Sequence, residues 1–102
     1  MARINNEVSV EMLSDAINYI VLRTPGRQFP GMVLQGDSLA RLYRCAAEVC
    51  RRAKDSDDQE LIGEAGDLCE ELRERLVFYE KVLESHGIEL PYSSPIANEV
   101  AP

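Results

Sequence analysis

Two groups of residues in this sequence have the types and the spacing to do chemistry. The first is Ser38 in VLQGDSL, residues 33–39, where a short apolar run leads into Gly36-Asp37-Ser38-Leu39. A serine after a strand could be a nucleophile, provided a base activates it and donors stabilise the oxyanion. The only histidine is His86, the residue three before it is Leu83, and no asparagine occurs between 39 and 86. A serine without a base is inert, so the spacing predicts that Asp37 or Ser38 caps the start of a helix. The second group is Glu60, Glu64, Asp67, Glu71 and Glu74, at intervals of four, three, four and three, with Glu70 beside them. Those intervals draw one acidic stripe along a helix. Its chemistry is electrostatic, a surface for a basic partner.

Other site chemistries lack their residues. Gly-Asp-Ser-Leu is the tetrapeptide with which GDSL esterases and lipases present their serine, but the DxxH pair that completes such a site is missing. Asp55-x-Asp57-x-Gln59 opens like a calcium loop, yet Glu60 stands where the glycine is needed and Gly66 where the closing acid is needed. A single histidine rules out HExxH, and no glycine-rich phosphate loop occurs. The expectation is a protein without catalytic residues, metal or cofactor. A rigid turn region, Pro25-Gly26-Arg27-Gln28-Phe29-Pro30-Gly31, is the other candidate for recognition. It puts forward Arg27, Phe29 and the nearby Gln35, with Phe29 equally suited to plugging a core.

The elements that must position these residues are helical from 37 onward. Leu39, Leu42, Tyr43, Ala46, Val49, Cys50 and Ala53 recur at three and four, one face of a helix over 37–54. The polar run Asp55-Ser56-Asp57-Asp58 forms a turn and caps a second helix over 58–87. Its apolar stripe is Leu61, Ala65, Leu68, Leu72, Leu76, Tyr79 and Leu83, widened by Ile62, Cys69 and Val82. His86 suits the negative helix end and Gly87 the left-handed residue beyond it. The short link makes the two helices an antiparallel hairpin.

Residues 1–36 are less regular. Val8 to Met12 alternates as a strand would, Ile17 to Arg23 is rich in β-branched and aromatic residues, and Gly31 to Gln35 is a third short candidate. Thr24-Pro25-Gly26-Arg27 and Phe29-Pro30-Gly31-Met32 both favour type II turns. The expected fold is mainly α (α+β): a hairpin packed with a small N-terminal region of short strands and Pro-Gly turns. A rival for that region is an amphipathic helix over 9–22. One domain is expected over 1–92, with 93–102 a loose, proline-containing tail.

The net charge of −7 is unevenly spread. Arg41, Arg44, Arg51, Arg52 and Lys54 outnumber Asp37 and Glu48, so 37–54 carries +3, whereas 58–87 carries −6. Direct nucleic-acid binding is disfavoured, since phosphate contacts need a basic surface. Cys45, Cys50 and Cys69 match no metal or redox spacing and are expected as small buried hydrophobes. No apolar run exceeds the four residues of Tyr19 to Leu22, far too short to span a membrane. The N-terminus has no apolar signal region, so a cytoplasmic location is expected.

The run PGRQFPGMVLQGDSL at 25–39, followed by a hairpin ending in HGIELPY at 86–92, resembles a family of small bacterial proteins without assigned activity. The resemblance covers roughly residues 8–92. In size, acidity and lack of catalytic apparatus the chain is also similar in type to immunity proteins that neutralise interbacterial toxins. That resemblance implies a cognate toxin enzyme as partner, its active site plugged or covered by tight binding; for a toxin acting on nucleotides or nucleic acid that site is basic, and the 60–74 stripe complements it. The alternative expectation is a self-associating structural or regulatory module, with Val77 and Phe78 in a homodimer seam.

Overall fold

The computed structural model describes residues 6–15 and 19–102, and divides them into two compact units, one within residues 2–35 and one over residues 36–102. The first unit is an antiparallel three-stranded sheet of β1 (Glu11–Met12), β2 (Tyr19–Arg23) and β3 (Gly31–Leu34), in that spatial order. Pairing of Glu11 with Arg23, and of Tyr19 through Leu22 with Leu34 through Gly31, fixes the register. Ser14 extends the β1 edge by accepting from the Val21 N–H at 2.9 Å. Extended backbone in β1 and β2 replaces the amphipathic helix considered over 9–22, whose positions 16–18 lie outside the described residues. β-branched Ile20 and Val21 with Tyr19 favour the pleat over the helix.

The two expected turns differ. Gly26 has φ +78° and the Arg27 N–H donates to the Thr24 carbonyl at 3.2 Å, the geometry of a type II turn. Gly31 is not left-handed and instead opens β3, so the second Pro-Gly pair is an entry to a strand rather than a type II turn. Each pleated face carries apolar groups, Tyr19, Val21, Met32 and Leu34 on one and Met12, Ile20, Leu22 and Val33 on the other. None of the described residues between 6 and 35 is buried.

The second unit contains the core. α1 (Gly36–Lys54) and α2 (Gln59–Ser85) form the hairpin, joined by a turn in which Asp57 has φ 61°. Asp58 caps α2 by accepting from the Leu61 N–H at 3.1 Å. At the other end Ile88 N–H reaches the Leu83 carbonyl, Gly87 N–H reaches that of Glu84, and Gly87 has φ +67°. That is a Schellman closure. α1 starts at Gly36, one residue before the sequence suggests, and Asp37 accepts from the adjacent Ser38 N–H within its first turn.

The buried face of α1 is made of small residues, Gly36, Ala40, Ala46, Ala47, Cys50 and Ala53, around a single large one, Tyr43. Small side chains let α2 approach closely: the Tyr79 ring stands where a Cβ on Gly36 would be. The GDSL tetrapeptide thus serves packing, with glycine admitting a ring, Asp37 turned back on the helix start and Leu39 packed against the core. On α2 the buried positions are Ala65, Cys69, Leu76 and Glu80. Both apolar stripes are therefore rotated from the expected ones: Leu42 and Val49 of α1, and Leu61 and Leu68 of α2, are exposed. Cys50 and Cys69 are buried as expected, whereas Cys45 is exposed.

The expected loose tail is corrected as well. A single turn of 3-10 helix, Ile96–Asn98, drops Ile96 into the core at 0% exposure among Ala40, Tyr43, Cys69 and Leu76. No helix is long and apolar enough to cross a membrane among the described residues.

Candidate functional site

The phase of α2 is set by what it buries. Leu76 and Cys69 face α1, and Glu60, Glu64, Asp67, Glu70, Glu71 and Glu74 all lie about 120° or more from Leu76 around the helix. All six are exposed, and no ion pair among the described residues includes any of them. Other acids are engaged: Glu11 with Arg23, Glu99 with Arg44, and Glu48 with Arg51 and Arg52. The two arginines hold the Glu48 carboxyl below its usual range through hydrogen bonds and charge. Like charges four apart on α2 repel by about 0.2–0.5 kcal/mol per pair. The stripe is thus continuous and solvated, without an ion pair among the described residues.

Arg27, Phe29 and Gln35 belong to the sheet unit, whereas the six acids belong to the helical unit. Arg27 and Gln35 are exposed, and Phe29 is 78% exposed, so it plugs no core. Arg23 fastens the loop that carries it, donating to the Gln28 carbonyl and to Glu11. Val77 is half-buried beside Ala97, Phe78 is exposed, and both line one open groove on α2.

Glu80 is the residue that sequence reasoning missed. Its carboxylate accepts from Tyr92 Oη at 2.6 Å, the Ile96 N–H at 2.7 Å and the Ala97 N–H at 3.1 Å. Arg73 completes the strap by donating to the Ile96 and Ala97 carbonyls. Burial, and then the Glu80 carboxylate, push the Tyr92 phenol well above its ordinary value. The signal was present: position 80 continues the buried phase of Ala65, Cys69 and Leu76, where an acid needs partners. Beside the strap runs an open groove of about 500 Å³, lined among others by Val77, Lys81, Glu84 and Ile88. Ser38 Oγ and the His86 ring share no hydrogen bond among the described residues. No group of three or more His, Cys, Asp and Glu among those residues is arranged to hold a metal ion.

No curated protein and no solved structure matches the chain. A family model described as "Family of unknown function (DUF6959)" matches residues 5–92, a span running from before the sheet through both helices and the Schellman closure. The chain therefore belongs to DUF6959, a family of unknown function.

Proposed function

We propose that the protein is a non-enzymatic binding protein whose acidic α2 face docks a basic protein partner. In its sharpest form the proposal is an immunity protein that covers the basic active-site cleft of a cognate toxin. One observation carries it: six acids, Glu60, Glu64, Asp67, Glu70, Glu71 and Glu74, stand exposed on one helix face without an ion-pair partner among the described residues. Such a face raises the encounter rate with a positive surface and rejects negative ones. The chain's acidity and small size fit the immunity role, whose mechanism is coverage rather than chemistry.

The test is capture of the product of the neighbouring gene with tagged protein, followed by association kinetics. Changing Glu64, Asp67 and Glu71 together to lysine should slow association about tenfold or more at low salt and remove its salt dependence. The helical circular dichroism should remain, since all three side chains are exposed. Association that is equally fast at low salt in the triple variant rejects the acidic face as the docking surface. A captured partner without toxin activity retains binding and rejects the immunity role.

A further inference from the structure

The hairpin is a two-helix layer, and only one of its sides is covered by the chain's own C-terminal segment. That segment crosses Arg44 of α1, through Glu99, and Arg73 of α2, through Ile96 and Ala97. Leu42 lies about 200° around α1 from Arg44, and Leu68 about 140° around α2 from Arg73. Val49 and Leu61 stand one heptad away from these two on their own helices. All four thus belong to the side turned away from the strap, and their exposures are 49% for Leu42, 53% for Val49, 41% for Leu61 and 54% for Leu68. Two heptad-spaced apolar pairs on adjacent antiparallel helices are half of a four-helix bundle core.

We infer that a second copy of this chain packs on this side, with α1 of each copy lying over α2 of the other. Charge selects that arrangement. On this side α1 carries Arg41 and Arg52, while α2 carries Glu64 and Glu71 against Arg75, one heptad beyond Leu68. A two-fold axis along the hairpin places opposite charges across the interface, whereas α1 over α1 and α2 over α2 would oppose like with like. The heights agree. Gly36 stands beside Tyr79, and Cys50 clusters with Ala65, so position 49 is level with 66 and position 52 with 63. An axis parallel to the helices preserves height, bringing Val49 toward Leu68 of the second copy and Arg52 toward its Glu64. Arg41 and Glu71 border the same patch one to two turns along. Asp67, Glu70 and Glu74 lie toward the opposite edge of α2 and remain open, so the inference does not rest on the proposed function.

Sedimentation equilibrium of the full chain tests it. The expected result is a monomer–dimer equilibrium that weakens with salt, and a dissociation constant at least about tenfold higher in Leu42→Glu with Leu68→Glu. Because both leucines are half exposed, the variant should keep its helical spectrum. The second arm is a charge exchange. One chain carries Arg41→Glu and Arg52→Glu, the other Glu64→Arg and Glu71→Arg. Each alone should dimerise poorly, and an equimolar mixture should form a heterodimer as tight as the wild-type dimer. A monomer at every concentration, a dimer indifferent to the leucine changes, or a mixture that fails to recover association overturns the inference.

Discussion

At the scale of single residues, Glu80 makes more hydrogen bonds than any other buried side chain among the described residues. It is 7% exposed and takes three hydrogen bonds, two from backbone N–H groups of the C-terminal strap. Glu80→Leu is similar in bulk but leaves the Tyr92 hydroxyl and both N–H groups without an acceptor. Each buried orphan costs about 1–3 kcal/mol. Releasing the strap restores them to water but exposes Ile96, worth about 2 kcal/mol of burial. The cheaper of the two responses sets the loss, so a destabilisation of about 2 kcal/mol is expected, with hydrogen-exchange protection lost at Ile96 and Ala97. A midpoint unchanged in urea would show that the cradle contributes nothing. The same site fixes a pH dependence. The phenol of Tyr92 is raised in the fold by burial and by Glu80, so its contribution is complete below the ordinary value of 10.0 and is lost as the pH climbs past it toward the folded value. Alkaline titration of wild type should therefore steepen the fall in stability above about pH 10. Tyr92→Phe should show a shallower fall over the same interval, Tyr43 and Cys69 supplying what remains because burial raises both.

At the scale of elements, α2 is long but not built for maximal helix stability. Gly63 and Gly66 sit in its first third, and a Cβ added at either meets nothing within 4 Å. Glycine inside a helix costs roughly 0.5–1 kcal/mol relative to alanine. Gly63→Ala with Gly66→Ala should therefore raise stability by about 1–2 kcal/mol, read from thermal melts; no gain would mean that a contact at this face needs the missing side chains. The ends of α2 were legible in the sequence because caps are local chemistry: Asp58 and the His86-Gly87 pair each act within a few positions. The rotational setting was not. Alanine carries weak hydropathy, so the leucines at 42, 61 and 68 dominated the expected stripes although close packing also selected Ala40 and Ala47. Ile96 escaped for a related reason, a lone apolar residue among prolines, serines and small side chains having no period to betray its burial. The acidic stripe was legible in full, since exposure follows directly from its phase against Cys69 and Leu76.

At the scale of the whole molecule, the two compact units differ in how much they bury. Every residue of both core clusters lies between Gly36 and Ile96, whereas no described residue of 6–35 is buried. A helical unit with its own core, capped helices and a strap closed by Glu80 holds the interactions it needs within residues 36–102. A three-stranded sheet with apolar side chains on both faces and none of them buried has no such source of stability. Residues 36–102 expressed alone should therefore unfold cooperatively, with a urea midpoint close to that of the full chain, while residues 1–35 alone should give a disordered spectrum. The fragment also separates the candidate sites. It keeps all six acids of α2 and lacks Arg27, Phe29 and Gln35. If the acidic face alone engages the basic partner, the fragment should associate at the wild-type rate, because long-range steering depends on the charge that α2 carries. A fragment that folds but associates normally and dissociates much faster would assign the lifetime of the complex to the sheet unit, and Phe29, its most exposed aromatic, would be the first side chain to truncate. A fragment that collapses without a cooperative transition would show that the core clusters of 36–102 are insufficient by themselves, and that stability is shared along the full span matched by the family, residues 5–92.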